Sequence, residues 1–173
     1  RTRSETRDAA AADLRVATGL LDIRYIVGNS DLVSSVHSDA MEFWRKNAKE
    51  NLANLQKSLQ ERHTRAGELA YLLEPDLKEA RGGLRDIQAL KAISLSGAVP
   101  VPLEKISWAE GTLNNVRESL HMASRRGKDR LLFQEQDKVA QLLDYEDADA
   151  MMGDVARAAR SVDYLLNYTW HAI

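Results

Sequence analysis

The sequence predicts a mainly α-helical fold, a helical bundle of about five or six helices with at most one or two short strands near the N-terminal third. Apolar residues recur every three or four positions through most of the 173 residues, which is the spacing of one helix face. Glycines and prolines separate these stretches, and a short run at 23–27 has the β-branched and aromatic composition of a strand. Because amphipathic helices are stabilised mainly by packing, the apolar stripes should meet in a core.

Residues 1–30 are predicted to contain one helix and one short strand. The helix at 4–16 includes four consecutive alanines, and the strand at 23–27 ends at Gly28 and Asn29. A single strand is not stable without a neighbour, so this segment is expected to form the edge of a separate domain. The helical domain is therefore expected at 31–173.

A long helix is predicted from Asp31, as its N-cap, to about residue 62, with Ser38 as the point where it could break. Its apolar stripe consists of Met41, Trp44, Ala48, Leu52, Leu55 and Leu59. A second stripe begins at Leu84 and ends at Gly97, and the prolines that follow cannot continue a helix.

Three more helices are predicted in the C-terminal half. Ser107 and Glu110 have the spacing of a capping box, which marks a helix start, and Gly127 is expected to end that helix. The run at 133–143 predicts a short helix, and the run at 151–170 predicts the last one.

The segment with the clearest chemical signal is the basic elbow, defined as residues 78–85. Lys78, Arg81 and Arg85 surround the pair Gly82 and Gly83 directly before a predicted helix. Two glycines free the backbone to turn, and a helix N-terminus offers unpaired N–H groups and the positive end of its dipole. The pattern indicates a phosphate-binding loop; the alternative is a simple turn with solvated arginines.

Carboxylates and histidines form no catalytic constellation in the sequence. Asp147 and Asp149 have the spacing of paired metal ligands, but a helix follows them directly, so they are predicted to be acidic first-turn residues. His63 and His121 could contact a ligand or cap a helix, and the capping role is favoured. The sequence therefore predicts no catalytic residue, no metal ligand and no cofactor bound by this chain alone.

Composition and charge argue against several other classes of protein. A formal net charge of −2 does not favour a general nucleic-acid binder, and a chain without cysteine has no disulfides and no thiolate zinc site. No apolar run has the length of a signal peptide core or a membrane span. The expectation is a cytoplasmic protein with neither nucleic acid nor membrane as a partner.

Four blocks of sequence resemble the nitrogen-regulatory PII-protein uridylyltransferases. They are TGLLDIRYIVGN at 18–29, RHTRAG at 62–67, LEPDLKEARGGLRDIQ at 73–88, and a fourth block made of LH at 120–121 and RGKDRLLFQEQ at 126–136. All four stand in the family's order and together extend across most of the chain. By resemblance, 31–173 is the helical domain that follows a nucleotidyltransferase core, and 1–30 is the C-terminal edge of that core.

The resemblance implies a parent enzyme that transfers a uridylyl or adenylyl group from UTP or ATP to a tyrosine of the PII signalling protein, with Mg²⁺. The metal ligands would lie in the core, so the isolated chain is expected to be inactive. Its partners would be PII, the nucleotide, and the catalytic and regulatory domains of the same polypeptide. The residues expected to contact nucleotide are Lys78, Arg81, Gly82, Gly83, Arg85, Arg62 and Arg130.

Two alternatives stay open at this point. Arg130 follows Asp129 directly, and an ion pair between them that fixes the loop is slightly favoured over ligand contact. For the whole chain, the alternative to a nucleotide-contacting domain is a purely structural or protein-interaction bundle, in which the basic elbow serves folding alone.

Overall fold

A computed structural model describes residues 2–173, which form eight α-helices and no strand. The helices are α1 (Arg3–Ala12), α2 (Leu14–Leu21), α3 (Ser30–Lys46), α4 (Ala48–Ala66), α5 (Leu84–Ser96), α6 (Ser107–Ser124), α7 (Phe133–Leu142) and α8 (Ala148–His171). Short 3-10 helices lie at Leu69–Tyr71 and Leu103–Ile106. The predicted mainly α class is confirmed, with more helices than the predicted five or six.

The chain divides into two compact units. The first consists of the residues up to Ser58 together with 91–100, and the second consists of 59–90 together with 101–173. Helices α4 and α5 therefore each contribute residues to both units. The basic elbow lies entirely within the second unit.

Trp44 is the central residue of the first unit. Its side chain is fully buried, and its indole N–H donates to the carbonyl of Ala92 at 2.8 Å. Leu52 and Leu55 of α4 are buried as the stripe predicted. Trp44 buries a large apolar area, and its one polar atom is hydrogen-bonded, so burial leaves no donor unsatisfied. The side chain therefore fixes the position of α3 against the start of the 91–100 segment.

The N-terminal thirty residues differ from the prediction in two places. The predicted helix at 4–16 is two helices, because Asp13 leaves the helical conformation and caps α2 by accepting from the Arg15 N–H at 2.8 Å. The predicted strand at 23–27 is wrong for the described residues. This segment has no neighbouring strand to take its backbone hydrogen bonds, and Ile26 and Val27 are 78% and 84% exposed.

The predicted long helix from Asp31 is also divided. Asn29, rather than Asp31, is the N-cap of α3, and its side chain accepts from the Leu32 N–H at 3.0 Å. The break falls at Asn47 instead of Ser38. The side-chain amide of Asn47 donates to the Phe43 carbonyl of α3 at 2.9 Å. Asparagine is favoured at helix ends because its side chain can replace helical hydrogen bonds in this way.

Helix α6 begins at Ser107 as predicted, but the capping box predicted there and the stop predicted at Gly127 are both wrong. The N-cap of α6 is Ile106, reached from a 3-10 helix, and the Ser107 hydroxyl donates to the Glu104 carbonyl instead of forming a capping box. The helix ends at Ser124, and Arg125 takes the left-handed conformation with φ +53° that Gly127 was expected to supply. The predicted end of α5 is confirmed, since Gly97 follows it with φ +75°.

The core of the second unit is built on α8, which packs against α6 and α7. The buried apolar side chains of α8 are Met151, Val155, Ala158, Ala159, Val162, Leu165 and Leu166. Each large apolar side chain buried in this way contributes about 1.5–3 kcal/mol relative to exposure, so α8 is the main support for the segments packed on it. None of the helices in residues 2–173 is long and apolar enough to cross a membrane.

Candidate functional site

The basic elbow is held by its own backbone and by the segment around residue 130. The Asp76 carboxylate accepts from the N–H groups of Lys78 and Glu79 at 3.0 and 2.7 Å, which forms a tight turn at the start of the elbow. The Leu77 N–H donates to the Asp129 carbonyl at 2.9 Å. The elbow is therefore an ordered turn with fixed partners.

The two glycines of the elbow are required by close packing. Gly82 has φ +85°, and a Cβ there would lie 2.5 Å from the Ala159 carbonyl oxygen of α8. A Cβ on Gly83 would lie 2.8 Å from the Leu77 carbonyl oxygen. These distances are too short for any side chain, so the glycines serve to seat the elbow on α8 and to start α5.

Asp86 occupies the position where the sequence predicted an anion. It lies in the first turn of α5, is fully buried, and accepts from the Gly82 N–H at 2.6 Å, from His63 Nε2 at 2.9 and 3.0 Å, and from the Arg62 guanidinium. Burial acts to raise its pKa, but the hydrogen bonds and positive charges of His63 and Arg62 outweigh burial, and the pKa is lowered. A carboxylate of the chain itself thus neutralises the start of α5.

Arg62, predicted to contact nucleotide, is buried and joins three segments. One guanidinium nitrogen donates to the Glu79 carbonyl at 2.6 Å and another to the Asp86 carboxylate. His63, for which a helix cap was favoured, contacts the same carboxylate instead. The sequence showed Arg62 and His63 side by side, but their shared partner lies in α5 and follows only from the fold.

Arg81 points from the elbow toward α8. Its Nε and Nη2 donate to the two carboxylate oxygens of Asp163 at 2.7 and 3.1 Å, and Nη1 lies 3.5 Å from Glu68. The hydrogen bond to Asp163 raises the pKa of Arg81 above its ordinary value. This bidentate pair, between residues 82 positions apart, holds the elbow to α8 as the Gly82 packing does.

Lys78 belongs to a second charged cluster centred on Asp129. The Asp129 carboxylate accepts from Arg117 Nε at 2.6 Å and from His121 Nε2 at 2.9 Å, and it lies 3.7 Å from Lys78 Nζ. Burial acts to raise the pKa of Asp129, but Arg117, His121 and Lys78 together lower it. The predicted ion pair between Asp129 and the residue after it is replaced by these three partners.

Arg85 and Arg130 are the more exposed members of the predicted site. Arg85 pairs with Glu79 at 3.2 Å and is 47% exposed, whereas Arg130 pairs with Glu74 at 3.4 Å and is 63% exposed. Exposed pairs of this kind contribute about 0–1 kcal/mol each, so either arginine can exchange its carboxylate for another anion at small cost.

All the predicted cationic side chains therefore contact carboxylates of the same chain, and the predicted glycines pack against backbone. The described structure brings the elbow, the Arg62 segment and the Arg130 segment together, as a common site requires. Its ion pairs give each residue a structural role, and contact of these residues with a nucleotide stays a prediction.

A second feature beside the elbow, which the sequence did not reveal, is an open cavity of about 410 Å³ on the exposed side of α8. We call it the tyrosine cleft and define it by Tyr71, Arg160, Tyr164, Asn167 and Tyr168, together with Arg81, which it shares with the elbow. The three tyrosines are 73%, 73% and 62% exposed in chain order. The four-residue spacing of Tyr164 and Tyr168 indicates one helix face, but Tyr71 reaches α8 only in the fold.

No metal site is present in the part of the chain that the structure describes. Residues 2–173 hold no group of three or more histidine or carboxylate side chains placed to bind an ion. Asp147 is the N-cap of α8, accepting from the Ala150 N–H at 2.7 Å, and Asp149 lies in the first turn, as predicted. The described residues therefore offer no such ligand set for magnesium, whose ligands the resemblance assigns to the catalytic core.

Comparison with known proteins gave one family and several full-chain relatives. The profile of the family described as GlnD PII-uridylyltransferase matches residues 50–95 and 102–170. A bifunctional uridylyltransferase/uridylyl-removing enzyme of Streptomyces coelicolor is 44% identical over 173 residues, which is 100% of this chain and 21% of that protein. The proteins of the same description from Mycobacterium tuberculosis and Corynebacterium glutamicum are 34% and 31% identical over 95% and 94% of this chain, and 21% and 23% of their own lengths.

The chain thus spans about a fifth of the length of the curated relatives it matches. No solved structure gave a significant match.

Proposed function

Since this chain belongs to the PII-uridylyltransferase family, we propose that it is the helical domain of an enzyme that transfers a nucleotidyl group to the PII signalling protein. The donor is a nucleoside triphosphate, UTP or ATP, and the acceptor is a tyrosine of PII. The relatives carry the description of a bifunctional uridylyltransferase/uridylyl-removing enzyme, which makes UTP the first donor to test.

One observation carries the proposal beyond the family match. Three of the sequence blocks that resemble the family, at 62–67, 73–88 and 126–136, are joined to one another by hydrogen bonds. Arg62 and His63 bind Asp86, and the Asp129 carbonyl binds the Leu77 N–H. Segments that are distant in sequence and meet in one place are what a shared site requires.

We propose that the chain supplies charge and shape to the active site, while the catalytic carboxylates and their magnesium lie elsewhere in the parent protein. Metal ions are needed to neutralise the triphosphate and to activate the attacking hydroxyl, and the described residues have no ligand set for them. We therefore expect the isolated chain to catalyse no transfer.

Within this chain, Arg85 and Lys78 of the elbow, together with Arg130, are proposed to reach the nucleotide by exchanging partners. Arg85 and Arg130 release Glu79 and Glu74, which these weak exposed pairs permit, and bind phosphate oxygens instead. The half-buried Lys78, whose Nζ lies 3.7 Å from Asp129, does the same. Arg62, Arg81, Gly82 and Gly83 keep the elbow in the shape that presents those cations.

The second candidate, a purely structural bundle, is favoured by the pairing of every elbow cation with a carboxylate. The two candidates differ in kinetics. In the full-length enzyme, Lys78→Ala and Arg85→Ala should each raise the KM for the nucleotide by about 10-fold or more if these side chains bind phosphate. Arg157→Ala, which removes an exposed arginine paired with Asp154 on α8, is the control and should leave KM unchanged. Wild-type kinetics in both elbow variants would favour the structural candidate.

A further inference from the structure

We infer that the tyrosine cleft is a binding site for a nucleoside phosphate, whose base packs on the tyrosine rings and whose phosphate faces Arg160. The inference rests on the proposed function in naming a nucleotide as the ligand. It places binding in a cavity that, of the predicted elbow residues, only Arg81 lines.

The cleft presents aromatic faces that nothing in the described chain covers. Tyr164 and Tyr168 are four residues apart and so lie on one face of α8, and Tyr71 comes from the 3-10 helix Leu69–Tyr71. All three are more than half exposed, which is unusual for aromatic side chains that serve packing alone. Planar rings at the rim of a cavity form a stacking surface for a base.

The polar groups of the cleft suit the other parts of a nucleotide. Arg160 is exposed, and within residues 2–173 it has no ion-pair or hydrogen-bond partner. The half-buried side-chain amide of Asn167 also has no partner there, and it offers both a donor and an acceptor to a base edge. Arg81 is held by Asp163 and Glu68, so the cation available to an anion in this cavity is Arg160.

The size of the cavity is compatible with such a ligand. About 410 Å³ lies within the range of roughly 300–1,000 Å³ that is typical of small-molecule sites. A docked protein loop would use the same tyrosines and arginine, but it would not require an unpaired amide inside the cavity. The nucleotide could be the donor substrate or a regulatory nucleotide, and both share the chemistry described.

The first experiment measures binding of UMP, UTP and AMP to the 173-residue chain by isothermal titration, with circular dichroism to verify the helical fold of each variant. Tyr164→Ala and Arg160→Ala should weaken binding about 10-fold or more, whereas Tyr164→Phe, which keeps the ring, should bind as the wild type does. The matched controls are Phe133→Ala, an equally exposed aromatic outside the cleft, and Arg157→Ala on the same helix. Absence of binding at millimolar nucleotide, or equal losses in the controls, would overturn the inference.

The second experiment identifies the source of the nucleotide in the full-length enzyme. A raised KM for UTP with an unchanged KM for PII in Tyr164→Ala and Arg160→Ala supports a substrate nucleotide. An unchanged KM for UTP with loss of the response to a non-substrate nucleotide supports a regulatory one. A raised KM for PII alone would show a protein-docking surface and overturn the inference. A full-length wild-type enzyme that transfers no nucleotide to PII would contradict the proposed function. The titration of the 173-residue chain would still show whether the tyrosine cleft binds a nucleotide.

Discussion

Asp86 is the residue on which the basic elbow depends most. It is fully buried and binds the backbone of Gly82, the guanidinium of Arg62 and the imidazole of His63. Three segments therefore share one carboxylate, and each of its partners would be left without its main acceptor if it were removed. The exposed pair of Arg85 with Glu79 makes no comparable connection.

Asp86→Asn is expected to destabilise the chain strongly, by about 3 kcal/mol or more, because it leaves the charge of Arg62 buried without a counter-charge. Glu79→Gln, in an exposed pair of the same elbow, should cost about 1 kcal/mol or less. Urea unfolding of the two variants and the wild type measures both values. Equal small losses in both would contradict the assignment of Asp86 as the central support.

The second shared carboxylate, the half-buried Asp129, should show its role through pH. Its pKa is lowered in the folded chain, so its stabilisation is complete above the unfolded pKa of about 3.9 and is lost as pH falls through the lower folded value. The difference in unfolding free energy between wild type and Asp129→Asn should be constant near pH 5 and narrow below about pH 4. A difference that stays constant to the lowest pH reached would mean that the pairs with Arg117 and His121 do not hold in solution.

These residue-scale roles could not be predicted from sequence. The sequence analysis placed Arg62 in one site with Lys78 and Arg81, and the structure brings Arg62 onto the elbow at the Glu79 carbonyl. The sequence could not show that Asp163 and Asp129 are partners of the elbow cations, since those carboxylates are brought in by the fold from far along the chain. A cluster of basic residues in the sequence indicates that an anion is favoured nearby. It does not show whether that anion is a bound ligand or an aspartate of the same chain.

At the scale of elements, the apolar periodicity of the sequence predicted the helices. The local end signals, such as caps and glycines, placed several helix ends wrongly. Most of the apolar stripes of α4 and α5 is buried as expected, with Leu52, Leu55 and Leu59 in α4 and Ile87, Leu90 and Ile93 in α5. Two of the errors fall at Asp13 and Asn47, where a short polar side chain interrupts a pattern that continues on both sides. Whether the helix breaks there depends on a small difference in free energy between a continuous helix and two capped helices. Tertiary packing can reverse the sign of that difference.

The close packing of Gly82 against α8 can be tested by adding one methyl group to the elbow. Gly82→Ala should destabilise the chain by about 2 kcal/mol or more, because φ +85° is strained for alanine and its Cβ would meet the Ala159 carbonyl. Gly111→Ala is the matched control: Gly111 lies inside α6 with open space around it, so alanine should stabilise by about 0.5–1 kcal/mol. Thermal unfolding distinguishes the two, and equal shifts of the same sign would contradict the packing described.

At the scale of the whole molecule, the family resemblance predicted which segments belong together better than any periodicity did. The blocks at 62–67, 73–88 and 126–136 meet in the second unit, as a shared site requires. The remaining block, at 18–29, is different, because the apolar residues near its C-terminal end are exposed, although Leu21 is buried. Tyr25 is 51% exposed, and the two residues after it are more exposed still. Because the chain covers about a fifth of its relatives, we expect this segment to be covered by another part of the parent protein.

Replacing Ile26 and Val27 by serine tests that expectation. In the 173-residue chain, the double variant should change the unfolding free energy by about 0.5 kcal/mol or less, because both side chains already face solvent. In the full-length protein, the same change should lower the midpoint of thermal unfolding, since it would remove apolar area from an interface. The control exchanges the two residues conservatively, Ile26→Val with Val27→Ile, and should change neither protein. If the serine variant leaves the full-length protein as stable as the wild type, the segment is exposed there too, and the predicted role of 1–30 at the edge of the catalytic core is wrong.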